Sequence, residues 1–228
     1  MRPLCVSRHD APRDRVAYTL EAAASGAPLG NRIVLRSLAD GSMIRSVMTK
    51  GFVAWLGLSA HALAYREALG VQLDGGSVQD AQLMLATADD RTPALVDVHA
   101  ISAAVSGDLF VWGRFDATDA SIWTTSLSGG ARTHVAGPSV PDFKAQGEAG
   151  SWWVSLTDGY AAWVTSGTLK DAEQSAIPFR WNVGQPSARL VALPTAIDFV
   201  SVSGGWLIWE DIGSRPTVHA IQLSALAN

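Results

Sequence analysis

One eight-residue pattern recurs five times without a gap, and it limits what this chain can fold into more than any other feature. Val105 to Trp112 reads Val-Ser-Gly-Asp-Leu-Phe-Val-Trp, and Val202 to Trp209 reads Val-Ser-Gly-Gly-Trp-Leu-Ile-Trp. Leu156 to Trp163 reads Leu-Thr-Asp-Gly-Tyr-Ala-Ala-Trp, and Met48 to Trp55 reads Met-Thr-Lys-Gly-Phe-Val-Ala-Trp. A worn copy, Ala-Pro-Arg-Asp-Arg-Val-Ala-Tyr, runs from Ala11 to Tyr18. Each copy is an apolar residue, a three-residue turn and a run that closes on an aromatic. Turn chemistry between short apolar runs specifies antiparallel hairpins.

The sequence around the copies keeps one order: strand, turn, strand, longer loop, strand, tight turn, strand. In the first repeat these are Leu4 to Arg8, Arg15 to Glu21, Arg32 to Leu38 and, after Asp40-Gly41, Ser42 to Met48. In the second, a loop with His61 and Tyr65 follows Trp55, and Gln79 to Ala86 returns after Asp74-Gly75-Gly76. The fifth repeat has three recognisable strands, Phe199 to Val202, Trp206 to Glu210 and Thr217 to Leu223. No segment has a convincing helical period, and Asp171 to Ser175 is read as a loop.

The closing aromatics stand at 18, 55, 112, 163 and 209. Four short strands in a drifting period of about forty to fifty residues are the mark of propeller blades. A sandwich has one wet face per sheet and needs apolar and polar residues in alternation. Leu109-Phe110-Val111-Trp112 and Trp206-Leu207-Ile208-Trp209 are instead apolar at consecutive positions, as expected of strands buried on both faces. The expected fold is all-β: a single propeller domain over residues 1–228, with five four-stranded repeats at 1–48, 49–97, 98–137, 147–194 and 195–228 and the last one incomplete.

The run from Ser106-Gly107-Asp108 through Trp112 to Ser121-Ile122-Trp123 and Leu127-Ser128-Gly129-Gly130 resembles the repeats of bacterial TolB-like propellers. The family's proline before the first turn is replaced by Ser106 and Thr157. The resemblance implies a binding or scaffolding role and carries over no catalytic residue.

Composition narrows the partners. The formal net charge is -4, from 17 basic and 21 acidic residues scattered singly, so no basic stripe exists to neutralise phosphates and nucleic acid is not expected. No run of 18 apolar residues predicts a membrane span. The first residues carry no signal peptide, and a longer precursor would allow a periplasmic or extracellular location. The single cysteine, Cys5, has no internal disulfide partner.

No Gly-x-Ser-x-Gly, Walker loop, dinucleotide fingerprint, His-Glu-x-x-His or sialidase-type Asp box occurs. Asp97-Val98-His99 would put a carboxylate and an imidazole on one strand face, a spacing that a metal could use but that suits a polar strand edge better. His134 and His219 are read as structural. No metal or cofactor is expected. In a propeller the second-to-third and blade-to-blade connections share one face, and here they are long and charged. The candidate ligand-binding residues are therefore Arg66, Arg114, Asp116, Asp119, Glu210 and Asp211. Lys170, Asp171 and Glu173 are placed in the same kind of loop.

These features predict a non-catalytic module that takes a protein or carbohydrate ligand on the long-loop face. Two alternatives are a glycoside hydrolase or lyase using loop carboxylates such as Asp116 and Asp119 around a central pocket, and a fragment of a larger propeller protein. An incomplete last repeat leaves Thr217 to Leu223 as an open edge, which predicts edge-strand self-association.

Overall fold

In a computed structural model the chain is described over residues 14–21, 31–60, 62–68, 81–87, 92–114, 120–137, 143–145, 151–157, 159–169, 172–191, 193, 197–212 and 215–226. Among these residues there is no α-helix, and nineteen strands form five antiparallel sheets. Sheet one holds β1 (Arg15–Glu21), β2 (Asn31–Ser37) and β3 (Met43–Met48). Sheet two holds β4 (Phe52–Leu58), β5 (Ala62–Ala68), β6 (Ala81–Thr87) and β7 (Ala94–Asp97). Sheet three holds β8 (Ala100–Ser106), β9 (Leu109–Arg114), β10 (Ile122–Ser126) and β11 (Thr133–Val135). Sheet four adds β12 (Phe143–Ala145) to β13 (Ser151–Thr157), β14 (Tyr160–Leu169), β15 (Ala172–Asn182) and β16 (Arg189–Leu190). Sheet five holds β17 (Ile197–Ser203), β18 (Trp206–Asp211) and β19 (Val218–Gln222). The expected strand Leu4 to Arg8 lies outside the described residues.

The tight turns form where the sequence allows a left-handed backbone. Gly107 between β8 and β9 has φ 53°, and Gly204 between β17 and β18 has φ 54°. A Cβ is disfavoured there, which is why the pattern carries glycine.

The chain divides into two compact units, residues 1–100 with 105–108, and 101–104 with 109–228. In the first, Ala17, Ile33 and Val47 of sheet one pack on Leu56, Leu63 and Tyr65 of sheet two. In the second, Val111, Ile122 and Val135 of sheet three pack on Leu156, Trp163 and Phe179 of sheet four. Ala162, Val164 and Val191 on the other face of sheet four pack on Val200, Leu207 and Trp209 of sheet five. Successive residues of a strand point to opposite faces. Ala161 and Trp163 therefore enter one cluster and Ala162 and Val164 the next, and this double burial is why β14 reads as a continuous apolar run.

The second repeat departs from the sequence reading. Met48 closes β3 in sheet one and Phe52 opens β4 in sheet two, so Met48 to Trp55 spans a crossing between sheets, not a hairpin. The true counterpart is Leu58-Ser59-Ala60-His61-Ala62-Leu63-Ala64-Tyr65, which places Tyr65 within β5 and moves the closing aromatics to 18, 65, 112, 163 and 209. Their spacing becomes 47, 47, 51 and 46. No glycine marks this turn. Buried Ser59 closes it instead: its backbone N–H donates to the Ala62 carbonyl at 2.9 Å, and its Oγ accepts from the Ala62 N–H at 3.1 Å. Trp55 is half-buried, and its ring lies over Gly57, where a Cβ would come within 2.5 Å of it. Tyr65, Trp112, Trp163 and Trp209 are buried, whereas Tyr18 is half-buried.

Three smaller expectations also change. Asp97 ends β7, and its Oδ1 accepts the His99 N–H at 2.9 Å, so Asp97 and His99 form a turn and do not share a strand face. β14 and β15 pair as far as Leu169 and Ala172, which leaves only residues 170–171 where a long loop was expected. Glu173 accordingly lies in β15, because the ladder resumes past a bulge at Thr165/Gly167.

Candidate functional site

The closing aromatic fixes each sheet at one level, and the residue two places later stands where the second strand meets the connection to the third. That position is held by Glu67, Arg114 and Asp211 in sheets two, three and five, whereas in sheet four Thr165 lies within β14, which runs on to Leu169. Glu67 is buried and accepts the Lys50 N–H at 2.9 Å through Oε2. Burial, and then the Glu67 charge, push the neighbouring Tyr65 phenol up to about 12, with Arg45 opposing. The Arg114 guanidinium carbon lies 5.8 Å from the centre of the Trp123 ring, a cation–π distance, and the His134 ring packs on the same indole at 5.0 Å. Asp211 accepts the Thr217 N–H at 2.7 Å through Oδ1 and lies 3.1 Å from His219 Nε2 through Oδ2. The Thr217 N–H and then His219 hold this carboxyl below its ordinary range. His219 also stacks on Trp209 with ring centres 5.2 Å apart.

The charged residues at this level are therefore engaged by their surroundings: Glu67 by the Lys50 N–H before β4, Arg114 by Trp123 of β10, and Asp211 by Thr217 and His219. Glu210 and Asp211 are adjacent in β18 and point to opposite faces, so the structure does not bring the two carboxylates together. Half-buried Glu210 sits in the ladder between Phe199 and Val218. Arg66, one place after Tyr65, is half-buried; its Nε is enclosed with no hydrogen-bond partner among the described residues, and burial lowers its pKa. Asp116 and Asp119 lie outside the described residues.

Sequence reasoning missed Trp153. It lies on a bulge in β13, between the pairs Trp152↔Val164 and Ser155↔Ala162, at the level of Trp163. It is the only non-glycine residue with positive φ among the described residues (53°), and 56% of its surface is exposed. A bulky side chain in the left-handed region carries backbone strain, of order 1–3 kcal/mol. The bulge turns the Val154 N–H to the Ser102 Oγ of β8 at 2.8 Å. On the other side the Ser155 Oγ accepts the Val202 N–H of β17 at 3.1 Å. The first strands of sheets three, four and five are thus tied through this bulge while the indole is left in solvent. The adjacent Trp152-Trp153 pair was the available signal, since alternation sends one of two neighbours outward.

Among the described residues no group of three or more His, Cys, Asp or Glu could hold a metal ion, and no helix is long and apolar enough to cross a membrane. A polar cleft of about 290 Å³ lined by Asn182, Gln185, Ser187 and Arg189 lies at the hairpin between β15 and β16. Its lining has a cation and amides but no acid–base pair.

No family model and no curated protein matches the chain. Solved structures do. A prolyl endopeptidase aligns with TM-score 0.59 at 16% identity, covering 96% of this chain and 32% of that one. TolB from Acinetobacter baumannii aligns with TM-score 0.54 at 12% identity, covering 97% and 51%. A puromycin-hydrolysing peptidase from Mycobacterium tuberculosis aligns with TM-score 0.60 at 14% identity, covering 92% and 34%. The fold is a β-propeller. The five sheets are its blades, and among the described residues the fifth has three strands. The chain spans between a third and half of the length of these neighbours, and at such identities the likeness is one of fold.

Proposed function

We propose that this chain is a non-catalytic binding or scaffolding module, one propeller domain that receives a protein or carbohydrate ligand at the long-loop end of its blades. The observation that carries this reading is Trp153. A strained backbone that turns an indole into solvent gains nothing from core packing, and an exposed flat aromatic is a ready stacking surface for a sugar ring or an aromatic or cationic side chain. The engaged charges of Arg114 and Asp211 fit the same reading. Arg114 lies over Trp123, and the Asp211 carboxylate is engaged by the Thr217 N–H and His219.

Trp153→Ala tests it. The variant should unfold at the parent's urea midpoint to within about 0.5 kcal/mol, because the ring is exposed. It should also lose the intrinsic-fluorescence change that the parent shows with a panel of soluble oligosaccharides and unstructured peptides. A parent response that survives in the variant would remove Trp153 from the site.

A further inference from the structure

The β15–β16 hairpin of blade four puts two arginines side by side. Arg180 and Arg189 stand directly opposite one another in the ladder. Trp181, Ala188 and Leu190 turn to the core shared with blade three, so alternation sends Arg180, Asn182, Ser187 and Arg189 to the other face. That face also carries Ala162 and Tyr160, the ladder neighbours of Arg180 and Asn182 on β14. Arg180 is buried, and its Nη2 donates to the Leu226 carbonyl at 3.4 Å, whereas Arg189 is exposed. Opposed side chains of an antiparallel pair have Cβ atoms about 5 Å apart, and like charges there destabilise the sheet. Burial and then the Arg189 charge lower the Arg180 pKa, with Tyr160 opposing. The sequence has no Asp or Glu from Gln174 to Ile197, so the hairpin brings no acid of its own to the pair.

The turn between the two strands is pinned from several sides. The Val183 N–H donates to the Gly159 carbonyl at 2.9 Å, the Gln185 N–H to the Asn182 carbonyl at 3.0 Å and the Ala188 N–H to the Ala136 carbonyl at 3.0 Å. Buried Trp181 donates through Nε1 to the Gln185 carbonyl at 2.8 Å. Gly184 supplies the left-handed φ of 87° that the turn requires. The cleft of about 290 Å³ opens on this frame, lined by Asn182, Gln185, Ser187 and Arg189. Each of these side chains carries a hydrogen-bond donor: two amides, a hydroxyl and a guanidinium fork. Donors on a pinned backbone, with a second guanidinium across the ladder, complement an oxyanion better than a neutral sugar or a cation. The volume lies at the small end of ligand pockets, which suits a small molecule.

We propose that this cleft binds a small oxyanion, a phosphate or carboxylate group, which the Arg189 fork grips, Asn182, Gln185 and Ser187 orient, and the Arg180 charge across the ladder favours. The site shares no residue with the Trp153 surface, and either can fail without the other.

Isothermal titration calorimetry of the full chain at fixed ionic strength tests it, with inorganic phosphate and succinate as separate probes. At least one anion should bind one-to-one with a Kd of about 1 mM or below. Tighter binding of phosphate would assign the cleft to phosphoryl groups, and tighter binding of succinate to carboxylates. Arg189→Gln, at an exposed position, should keep the parent's circular dichroism and urea midpoint and weaken the preferred anion at least tenfold. Ser187→Asp, also exposed, places a carboxylate in the lining and should abolish binding while the fold is kept. Failure of both anions to bind at that strength, or parent affinity in either variant, would overturn the proposal.

Discussion

Blades four and five share a central-strand pattern and differ in how many faces are covered. β14 reads Tyr-Ala-Ala-Trp-Val, with Trp163 turned to blade three and Ala162 and Val164 turned to blade five. β18 reads Trp-Leu-Ile-Trp-Glu, with Leu207 and Trp209 turned to blade four and Trp206, Ile208 and Glu210 turned away from that cluster. Where a second neighbour exists the outward positions are small and apolar, and the indole is satisfied: Trp163 Nε1 donates to the Ala120 carbonyl at 3.1 Å. On blade five the positions turned away are exposed Trp206, half-buried Ile208 and the acid Glu210, and on its covered face the enclosed Trp209 Nε1 has no hydrogen-bond partner among the described residues. The closing aromatic builds the blade in both cases. The cover over the second face decides what the intervening residues can be.

The largest expected effect exchanges the equivalent outward residues. Val164→Glu places an unpaired carboxylate between two blades and should cost about 4 kcal/mol or more in urea unfolding, or prevent folding. Glu210→Val, at the same position of blade five, should change stability by less than about 0.5 kcal/mol in dilute protein. Similar losses for both would mean that blade five is covered on both sides.

The next effect is the cavity. Trp163→Ala should cost ~3–5 kcal/mol through lost burial and incomplete collapse of the site. Trp206→Ala, on the open face, should stay within about 0.5 kcal/mol. Equal denaturation midpoints for the two variants would remove the distinction between the covered and open faces.

The smallest effect separates the two indole N–H groups. Trp163→Phe keeps most of the ring and deletes a made hydrogen bond, at a cost of about 1 kcal/mol beyond the change in volume. Trp209→Phe deletes a donor that has no partner among the described residues, so it should be neutral or slightly stabilising. If Trp209→Phe costs more than Trp163→Phe, the Trp209 indole has an acceptor in solution and the contrast fails.

Repeating turn-and-aromatic units and apolar residues at consecutive positions were enough to read an all-β propeller with an incomplete last blade. Both are local consequences of the chain: turns need residues that tolerate a left-handed backbone, and strands buried on two faces cannot alternate. The mistaken register at Met48 to Trp55 has a physical origin. A crossing between sheets and a hairpin within one use the same turn chemistry, and only ladder pairing tells them apart. The true turn at Ser59 was invisible for the opposite reason, since a serine side chain does there what glycine does elsewhere.

The candidate site was legible only as positions. The sequence placed Arg114 and Glu210 at the mouths of the second-to-third loops of their blades, with Asp211 in the loop that follows. That Arg114 stacks on Trp123 and that Asp211 binds the Thr217 N–H and His219 depend on residues brought opposite by strand pairing. Trp153 is the clearest case. Its neighbours in sequence give an ordinary strand, and its exposure and strained φ arise because Ser102 and Ser155 join three blades across a bulge. By itself the sequence determined the repeating unit, its turns and its doubly buried strands, because these follow from local stereochemistry and from the periodicity of burial. Only the tertiary structure decided which charges are engaged, which aromatic is presented and which faces are covered, because each depends on what lies across a sheet or a blade junction.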